Sequence, residues 1–287
     1  MGKVYLTKRL EFSASHRYHN DAWDEARNRQ GFGASNRAPG HGHNYLLEVT
    51  VGGSVSEDTG MVVNLFELKV LLLDMLAAFD HKHLNLDTPY FTHRNPTTEN
   101  IATVFWSVLS RRREPMNLEK IRLYEDEDLY AEVTPALIAA GEARVVRRYH
   151  FPAGHRLEGS VLSGGNKHSI SGACHSSSLH GHNYTVEVVV TGPIDRDTGM
   201  VTDVTALDRL VHDTIVARFG GRTLNEDAAF ARTVATGENV SRLFWTLLTK
   251  QSVGGRLERV GVVESPDATF DYLGDPADGL TSCSSDR

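Results

Sequence analysis

The sequence predicts an α+β protein made of two copies of one domain, each with a four-stranded antiparallel sheet and two helices. The segment that starts at His41, HGHNYLLEVTV, recurs at His180 as HGHNYTVEVVV, 139 residues later. Such self-similarity fixes the architecture before local structure is assigned. The runs after each HGHNY alternate as strands do, and the stretches after Asn64 and Asp203 have helical apolar spacing. Paired strands and paired helices favour a sheet with its helices on one face.

The repeat extends over most of the chain. The same offset of 139 residues maps His16 onto His155, the DTGM run at Asp58 onto that at Asp197, Glu99 onto Glu238, Phe105-Trp106 onto Phe244-Trp245, and Glu125 onto Glu264. Only at the pairs Leu84-Asn85 and Leu224-Asn225 does the offset become 140. The duplication therefore predicts domains over residues 1–136 and 140–274, followed by a flexible tail over residues 275–287.

Each copy is predicted to have the element order β-β-α-α-β-β. Residues 3–13 and 143–153 have the pattern of opening strands, and second strands follow in YLLEVTVGG and YTVEVVVTG. Asn64 and Asp203 are good N-cap residues for a first helix, and Glu67, three residues beyond Asn64, suits a capping box. The remaining predicted elements are a second helix near Thr98 and near Gly237, and closing strands in IRLYED and VGVVES with their partners.

The composition excludes several classes of function. The chain has 287 residues, of which 40% are hydrophobic, a net charge of -7 and a pI near 6.0. A general nucleic-acid or anionic-membrane partner needs a basic face, so neither is expected. Cys174 and Cys283 are too few for a disulfide framework and fit a reducing cytoplasm. Because the sequence has neither a secretory apolar region nor a membrane-spanning run, a cytoplasmic protein is expected.

The histidines give the strongest sign of chemistry. His41 and His43 are two residues apart at the start of a predicted strand, where both point to one face. His16 ends the preceding strand, and pairing of the two strands would bring it alongside. Three neutral imidazoles with a free fourth position are what a catalytic zinc needs. The second copy repeats the set in register as His155, His180 and His182. This repetition favours metal binding over ordinary core or surface histidines.

As a set, these motifs resemble those of the 6-pyruvoyl-tetrahydropterin synthases and the related 6-carboxytetrahydropterin synthases. The matching motifs are F-x-A-x-H, HGHNY, DTGMV, DHKHLN, PTTEN and a late glutamate on a strand, and they cover almost the whole chain, once per copy. The resemblance implies a tandem T-fold, whose units associate side by side into a barrel. It also implies Zn²⁺ as cofactor, a small-molecule pterin as substrate, and a cysteine base completed by an Asp-His pair from a neighbouring unit.

The resemblance assigns roles to residues of both copies. The implied zinc ligands are His16, His41 and His43 in the first copy and His155, His180 and His182 in the second. The implied pterin-gripping glutamates are Glu125 and Glu264, and further candidates for ring contacts are Thr97, Thr98, Glu99 and Glu238. Glu99 and Glu238 could equally act only as caps of their helices.

The two copies have lost different parts of this machinery. Six residues before the first histidine of HGH, the second copy has Cys174, whereas the first has Ser35. The first copy keeps Asp80 and His81, whereas the second has Gly220-Gly221 at the matching place. A complete catalytic triad of Cys174, Asp80 and His81 therefore requires unlike units to alternate around a ring, and hence an even number of units. A homo-oligomer of two chains, or a stacked tetramer, is expected.

The predicted activity is that of a pyruvoyl-type synthase, a carbon–oxygen lyase that eliminates triphosphate from 7,8-dihydroneopterin triphosphate. The five-residue gap between Cys174 and His180 favours this type over 6-carboxytetrahydropterin synthesis in the deazapurine pathway, where the gap is usually shorter. A non-catalytic pterin- or metal-binding protein is the third interpretation. In that interpretation Cys174 is a buried small residue, and Asp80-His81 caps a helix end.

Overall fold

A computed structural model describes residues 2–112, 116–157, 178–252 and 254–275. The chain divides into two compact units, which do not follow the two sequence copies throughout. Unit 1 consists of Met1–Val146 and Thr191–Thr205, and unit 2 consists of Arg147–Val190 and Ala206–Arg287. The DTGMV segment of the second copy, residues 197–201, therefore belongs to unit 1.

Unit 1 is an α+β unit. Its strands are β1 (Val4–His16), β2 (His41–Gly53), β3 (Lys82–His83), β4 (Leu118–Asp126) and β5 (Leu129–Val133), and its helices are α1 (Glu25–Phe32), α2 (Leu65–Leu76), α3 (Leu84–Asp87), α4 (Thr98–Ser110) and α5 (Pro135–Ala140). The strands are ordered β3-β1-β2-β4-β5. The pairs β1–β2, β2–β4 and β4–β5 are antiparallel, and β3 pairs parallel with β1. The four longer strands form the antiparallel sheet predicted for the first copy.

Unit 2 repeats this arrangement. Its strands are β6 (Glu142–His155), which begins in unit 1, β7 (His180–Pro193), which ends in unit 1, β8 (Arg256–Ser265) and β9 (Ala268–Tyr272), and its helices are α6 (Val204–Val211), α7 (Ala217–Phe219) and α8 (Gly237–Thr249). These strands are ordered β6-β7-β8-β9, and β8–β9 is antiparallel. The predicted opening strand of the second copy is therefore present as β6.

The helices of the first copy begin where the capping signals place them. The Asn64 side chain accepts hydrogen bonds from the backbone N–H groups of Phe66 (2.9 Å) and Glu67 (3.4 Å), so α2 begins at the next residue, Leu65. The Glu67 carboxylate accepts from the Asn64 amide at 3.2 Å, which ties the two cap positions together. Thr97 caps α4 through the N–H of Asn100 at 3.2 Å.

Two helical regions differ from the prediction. α1 was not predicted, because EARNRQGF is mostly polar and has no apolar stripe. Asp24 starts it by accepting from the Arg27 N–H at 2.7 Å. The helix predicted after Asp203 is present but interrupted. It runs through α6 into a π-helical turn over His212–Val216 and then into α7. Apolar spacing predicts that a helix exists but not where its hydrogen-bond register slips.

Aromatic side chains pack the helices of each unit against its sheet. In unit 1, Phe12 of β1 stacks on Tyr45 of β2 with ring centroids 5.0 Å apart, and Phe105 of α4 meets Phe12 edge-on at 5.7 Å. In unit 2, the buried rings of Phe219 (α7) and Phe244 (α8) are 5.3 Å apart. Burial of such side chains is the main stabilising term, at about 25 cal/mol per Å² of apolar surface. These cores hold rigid the strands that carry the histidines.

Two further expectations concern location and the chain end. Among the described helices, none is long and apolar enough to cross a membrane. The tail predicted over residues 275–287 lies, apart from Asp275, outside the described residues.

Candidate functional site

Three histidines of unit 1 meet at the end of the β1–β2 pair. The strand register places His16 opposite His41, and His43 follows two residues later on the same face. The Nε2 atoms of His16 and His41 are 3.2 Å apart. The His43 ring lies 5.1 Å from His16 and 4.9 Å from His41, measured between centroids. The structure thus brings together the three first-copy residues that the sequence singled out.

The hydrogen bonds of this cluster direct ring lone pairs towards its centre. His16 Nδ1 is 3.0 Å from the carbonyl oxygen of Pro96, which can only accept, so Nδ1 carries the hydrogen and Nε2 is left with its lone pair. His43 Nε2 is buried and has no hydrogen-bond partner among the described residues. Burial lowers the pKa of His16 to about 4, which keeps the ring neutral at pH 7. Inward-facing ring nitrogens of this kind fit a metal ion.

A glutamate adjoins the cluster. Glu125 Oε1 lies 3.5 Å from His43 Nε2, and the four side chains can hold a metal together. Glu125 Oε2 accepts hydrogen bonds from the Tyr18 hydroxyl at 3.0 Å and the Thr98 hydroxyl at 2.7 Å. Burial alone would raise the pKa of Glu125, but hydrogen bonds from these two hydroxyl groups favour the ionised carboxylate and help to hold its pKa below the ordinary value. Glu125 is therefore a buried carboxylate that stays ionised.

Unit 2 contains an equivalent cluster. The Nε2 atoms of His155 and His180 are 3.0 Å apart, and His182 Nε2 is buried with no hydrogen-bond partner among the described residues. His155 Nδ1 is 2.8 Å from the Ala235 carbonyl oxygen, so its Nε2 also turns a lone pair inward. Glu264 Oε1 lies 3.3 Å from His155 Nε2 and 3.7 Å from His182 Nε2. The three histidines form a second group able to hold a metal.

The start of α4 is bound to the DTGMV segment of the second copy, within unit 1. The Thr97 hydroxyl donates to the Gly199 carbonyl oxygen at 2.6 Å, and the Val201 N–H donates to Glu99 Oε1 at 2.9 Å. Glu99 is only 4% exposed, whereas its counterpart Glu238 is exposed. Glu99 therefore binds a distant backbone group, and the N-cap of α4 is Thr97.

The two DTGMV segments differ in burial although their sequences are identical. Met200 of the second copy is 9% exposed and packs against Tyr18 and Phe32 in unit 1. Met61 of the first copy is 51% exposed, as is the neighbouring Leu65. The same motif is thus covered in one copy and open in the other.

Asp80 and His81 are held at the end of β1. Asp80 Oδ1 accepts from the Ser13 N–H at 2.9 Å, and Asp80 Oδ2 lies 3.0 Å from His81 Nδ1. The Ser13 N–H and the His81 ring lower the pKa of Asp80. His81 is 81% exposed and has a φ of 55°, in the left-handed region. The matching Gly221 has a φ of 69°, so the backbone turns alike in both copies and only the first keeps a side chain there.

Replacing His81 with glycine is expected to stabilise the fold. A left-handed conformation is unfavourable for a residue with a Cβ, so glycine should add about 0.5–1 kcal/mol to the free energy of unfolding. Urea denaturation at constant metal content measures this change. Gly221→Ala is the matched change in the opposite direction, because a Cβ there meets nothing within 4 Å and adds only backbone strain. A destabilised His81→Gly variant would contradict the expectation.

Replacing Glu99 with glutamine is expected to remove a pH-dependent loss of stability. Burial raises the pKa of Glu99 from 4.5 to about 7. Between these values the folded protein binds more protons than the unfolded chain, so stability is highest below the window and falls as the pH rises through it. Between pH 4.5 and about 7, the free energy of unfolding of the metal-free protein should therefore fall relative to that of the Glu99→Gln variant. Urea denaturation at a series of pH values measures this difference. The exposed Glu238→Gln is the control, and parallel curves for Glu99→Gln and the unmodified protein would contradict the prediction.

Cys174 lies outside the described residues, so its role stays a prediction. Its counterpart Ser35 is half-buried in a 3₁₀ turn over Gly33–Asn36, where its carbonyl oxygen accepts from the Tyr18 N–H at 2.9 Å. Tyr18 itself was missed by the sequence analysis. The available signal was its position two residues after His16, which extends the same face of β1 towards Glu125.

A family model described as 6-pyruvoyl tetrahydropterin synthase matches the chain twice, over residues 5–136 and 144–275. The chain is 39% identical to the 6-pyruvoyl tetrahydrobiopterin synthases of Drosophila melanogaster, over 42% of this chain and 74% of that protein, and of Homo sapiens, over 44% and 88%. It is 36% identical to a putative 6-carboxy-5,6,7,8-tetrahydropterin synthase of Archaeoglobus fulgidus, over 36% and 88%. A solved Caenorhabditis elegans 6-pyruvoyl tetrahydropterin synthase shares 32% identity with a TM-score of 0.45, over 47% of this chain and 96% of that chain.

Proposed function

Because the chain belongs to the 6-pyruvoyl tetrahydropterin synthase family, we propose that it is a zinc-dependent lyase that converts 7,8-dihydroneopterin triphosphate into 6-pyruvoyl-tetrahydropterin with elimination of triphosphate. The observation that carries the proposal is a cluster of inward-facing imidazoles beside a glutamate, formed twice. In keeping with its cysteine content, we assign the enzyme to the cytoplasm.

We assign the working site to the second copy, because that copy has the cysteine. His155, His180 and His182 would hold the zinc, which as a Lewis acid would polarise the developing carbonyl and acidify the adjacent C–H bond. Cys174, as a thiolate, would remove that proton as general base. Glu264, which adjoins the cluster, would accept hydrogen bonds from the amino and ring N–H groups of the pterin.

His81 supplies the second proton-transfer group in this proposal. Asp80 contacts Nδ1 and thereby orients the ring, which leaves Nε2 to exchange a proton with the substrate. The ring is mostly exposed in its own unit and is thus available to a neighbour. Its left-handed backbone supports a functional role, since strained residues concentrate at functional sites.

The thiol and the Asp-His pair belong to different copies, and we propose that they meet between two chains. The unequal burial of the DTGMV segments supports this arrangement. In unit 1, Thr97 and Glu99 bind the second-copy DTGMV segment. The first-copy DTGMV segment around Met61 is exposed, and so is Glu238, the counterpart of Glu99. By analogy with Glu99 and the second-copy segment, Glu238 of one chain would bind the first-copy segment around Met61 of the other chain. Two chains joined twice in this way would close a barrel of four T-fold copies, and a stacked tetramer is the larger form.

Two alternatives follow from the same family. The relative from Archaeoglobus fulgidus, a putative 6-carboxy-5,6,7,8-tetrahydropterin synthase, favours 6-carboxytetrahydropterin synthesis as the second candidate. A non-catalytic pterin- or metal-binding protein is the third, and the loss of the cysteine at Ser35 favours it for the first-copy site alone.

Turnover of 7,8-dihydroneopterin triphosphate by the zinc-loaded chain, with products identified by mass spectrometry, tests the proposal. Formation of 6-pyruvoyl-tetrahydropterin and free triphosphate is the expected result, and chelator-treated protein is the control. The carboxy product with acetaldehyde would move the chain to the second candidate. Retention of the pterin without any product would leave it as a binding protein.

A further inference from the structure

Unit 1 contains a cleft of about 720 Å³ whose lining includes three arginines and three histidines, in a chain of net charge -7. Its lining includes Arg17, Arg94, Arg196, His19, His83 and His93. We call it the arginine cleft. Two aspartates, Asp21 and Asp197, also line it, and Asp21 lies 3.4 Å from His19 Nε2 at the exposed rim. The three guanidinium groups outnumber these carboxylates.

Two of the three arginines are positioned by neutral groups. Arg17 donates its Nε–H to the Asn36 carbonyl oxygen at 2.7 Å, and Arg94 donates its Nε–H to the Tyr90 carbonyl oxygen at 3.0 Å. Arg196 lies in the exposed turn before Thr198. No described carboxylate forms an ion pair with any of the three. Their terminal N–H groups are therefore left to recognise an anion, and a guanidinium fork matches two phosphate oxygens at once.

Asparagine side chains fix the walls of the arginine cleft. Asn95 accepts from the His19 N–H at 2.7 Å and donates to the Thr198 carbonyl oxygen at 3.1 Å. Asn85 accepts from the Arg17 N–H at 2.9 Å and donates to the Arg17 carbonyl oxygen at 2.9 Å. A site whose walls are already ordered loses less entropy when a ligand binds.

The arginine cleft is linked to the first-copy histidine cluster along the chain, although the cluster side chains His16, His41, His43 and Glu125 are not among its lining residues. Arg17 directly follows His16, and Asn36, which anchors the Arg17 guanidinium, directly follows Ser35. The cleft and the site at which serine replaces the base are thus built from residues adjacent in sequence. The repeat keeps only one of the three arginines, since Arg156 matches Arg17 whereas Thr233 and Glu57 stand where Arg94 and Arg196 would be expected.

We propose that the arginine cleft binds an oligophosphate, namely a triphosphate group, without turning it over. The choice of triphosphate rests on the proposed function, whereas the anion-binding character rests on the three arginines alone. The group could arrive as free triphosphate released by the enzyme or as the tail of the pterin substrate. In either case unit 1, which includes Arg196 of the second copy, holds the phosphate-binding site, and the catalytic cysteine is on the second copy.

Calorimetric titration of the full zinc-loaded chain with inorganic triphosphate tests this proposal. We expect one site per chain in the cleft, weakened about tenfold or more in the double variant Arg94→Gln/Arg196→Gln, because two charged forks are lost. The double variant Arg232→Gln/Arg256→Gln is the matched control, since it removes two exposed arginines of unit 2 and the same net charge. Equal weakening in both variants, or none in the cleft variant, would overturn the proposal.

Titration with 7,8-dihydroneopterin triphosphate distinguishes free triphosphate from the tail of the substrate. The same proteins are used with the additional Cys174→Ala change, which prevents turnover. If 7,8-dihydroneopterin triphosphate binds more tightly than inorganic triphosphate, and the His16→Ala change weakens its binding, the ligand of the cleft is the tail of the substrate. Affinity equal to that of inorganic triphosphate identifies the free product, and either result supports the cleft. Because no turnover is measured, a failed activity test would leave these results intact, and a cleft that binds nothing would leave the activity untouched.

Discussion

Cys174→Ala is expected to lower kcat by about 10²–10⁴-fold, the usual contribution of a positioned general base. Zinc binding should persist, because the ligands His155, His180 and His182 are unchanged and meet without it. The measurement is single-turnover formation of pyruvoyl product, with zinc content determined in the same samples. A loss of kcat with full metal content would assign the thiol to chemistry and not to folding.

Ser35→Ala is the matched control, since Ser35 occupies the same position in the first copy. Its removal should leave kcat within about twofold, as is usual for a side chain that does not act on the transition state. Equal losses in the two variants would mean that the working site has been assigned to the wrong copy. A Cys174→Ala protein with normal turnover would end the proposal that this thiol is the base.

Mixing two inactive variants is expected to restore activity. If each working site joins Cys174 of one chain to Asp80 and His81 of another, a dimer of Cys174→Ala with His81→Ala chains has one intact site and one doubly damaged site. Random association of equal amounts should then recover about a quarter of the activity, because half of the dimers are mixed and each keeps one site of two. Co-expression, or unfolding and refolding of the mixture, followed by turnover measurement, gives the value.

The control mixture pairs Cys174→Ala with a Cys174→Ala/His81→Ala chain, which has no intact thiol and should remain inactive. Activity of the first mixture at the level of the separate variants would mean that the triad is not shared between chains. Sedimentation of each mixture must show the same oligomer as the unmodified protein, so that a failure to associate is not mistaken for this outcome.

The histidine clusters could be predicted because they depend on local periodicity. In a strand, residues two apart face the same way, so the spacing of His41 and His43 places both on one face whatever the rest of the chain does. The predicted cap Asn64 acts within three residues and is equally local. α1 was not predicted although its cap Asp24 is equally local, because the helix has no periodic apolar signal.

The environment of the glutamates could not be predicted. Glu125 is held by Tyr18, 107 residues away in sequence, and Glu99 by the backbone of Val201, 102 residues away. Backbone donors have no sequence signature, and a hydroxyl group becomes a partner only when the fold brings it within reach. The raised pKa of Glu99 follows from this burial and from nothing in its local sequence.

By itself, the sequence determined the duplication, the α+β elements and the two histidine sets. It also determined that only the second copy has the cysteine, Cys174, and only the first has the pair Asp80-His81. Only the tertiary structure decided which of two identical DTGMV segments is covered, with Met200 buried and Met61 exposed. Identical sequences have identical propensities, so no local pattern can separate them. Burial is set by the surface that the rest of the chain places opposite a segment, and that surface exists only after folding.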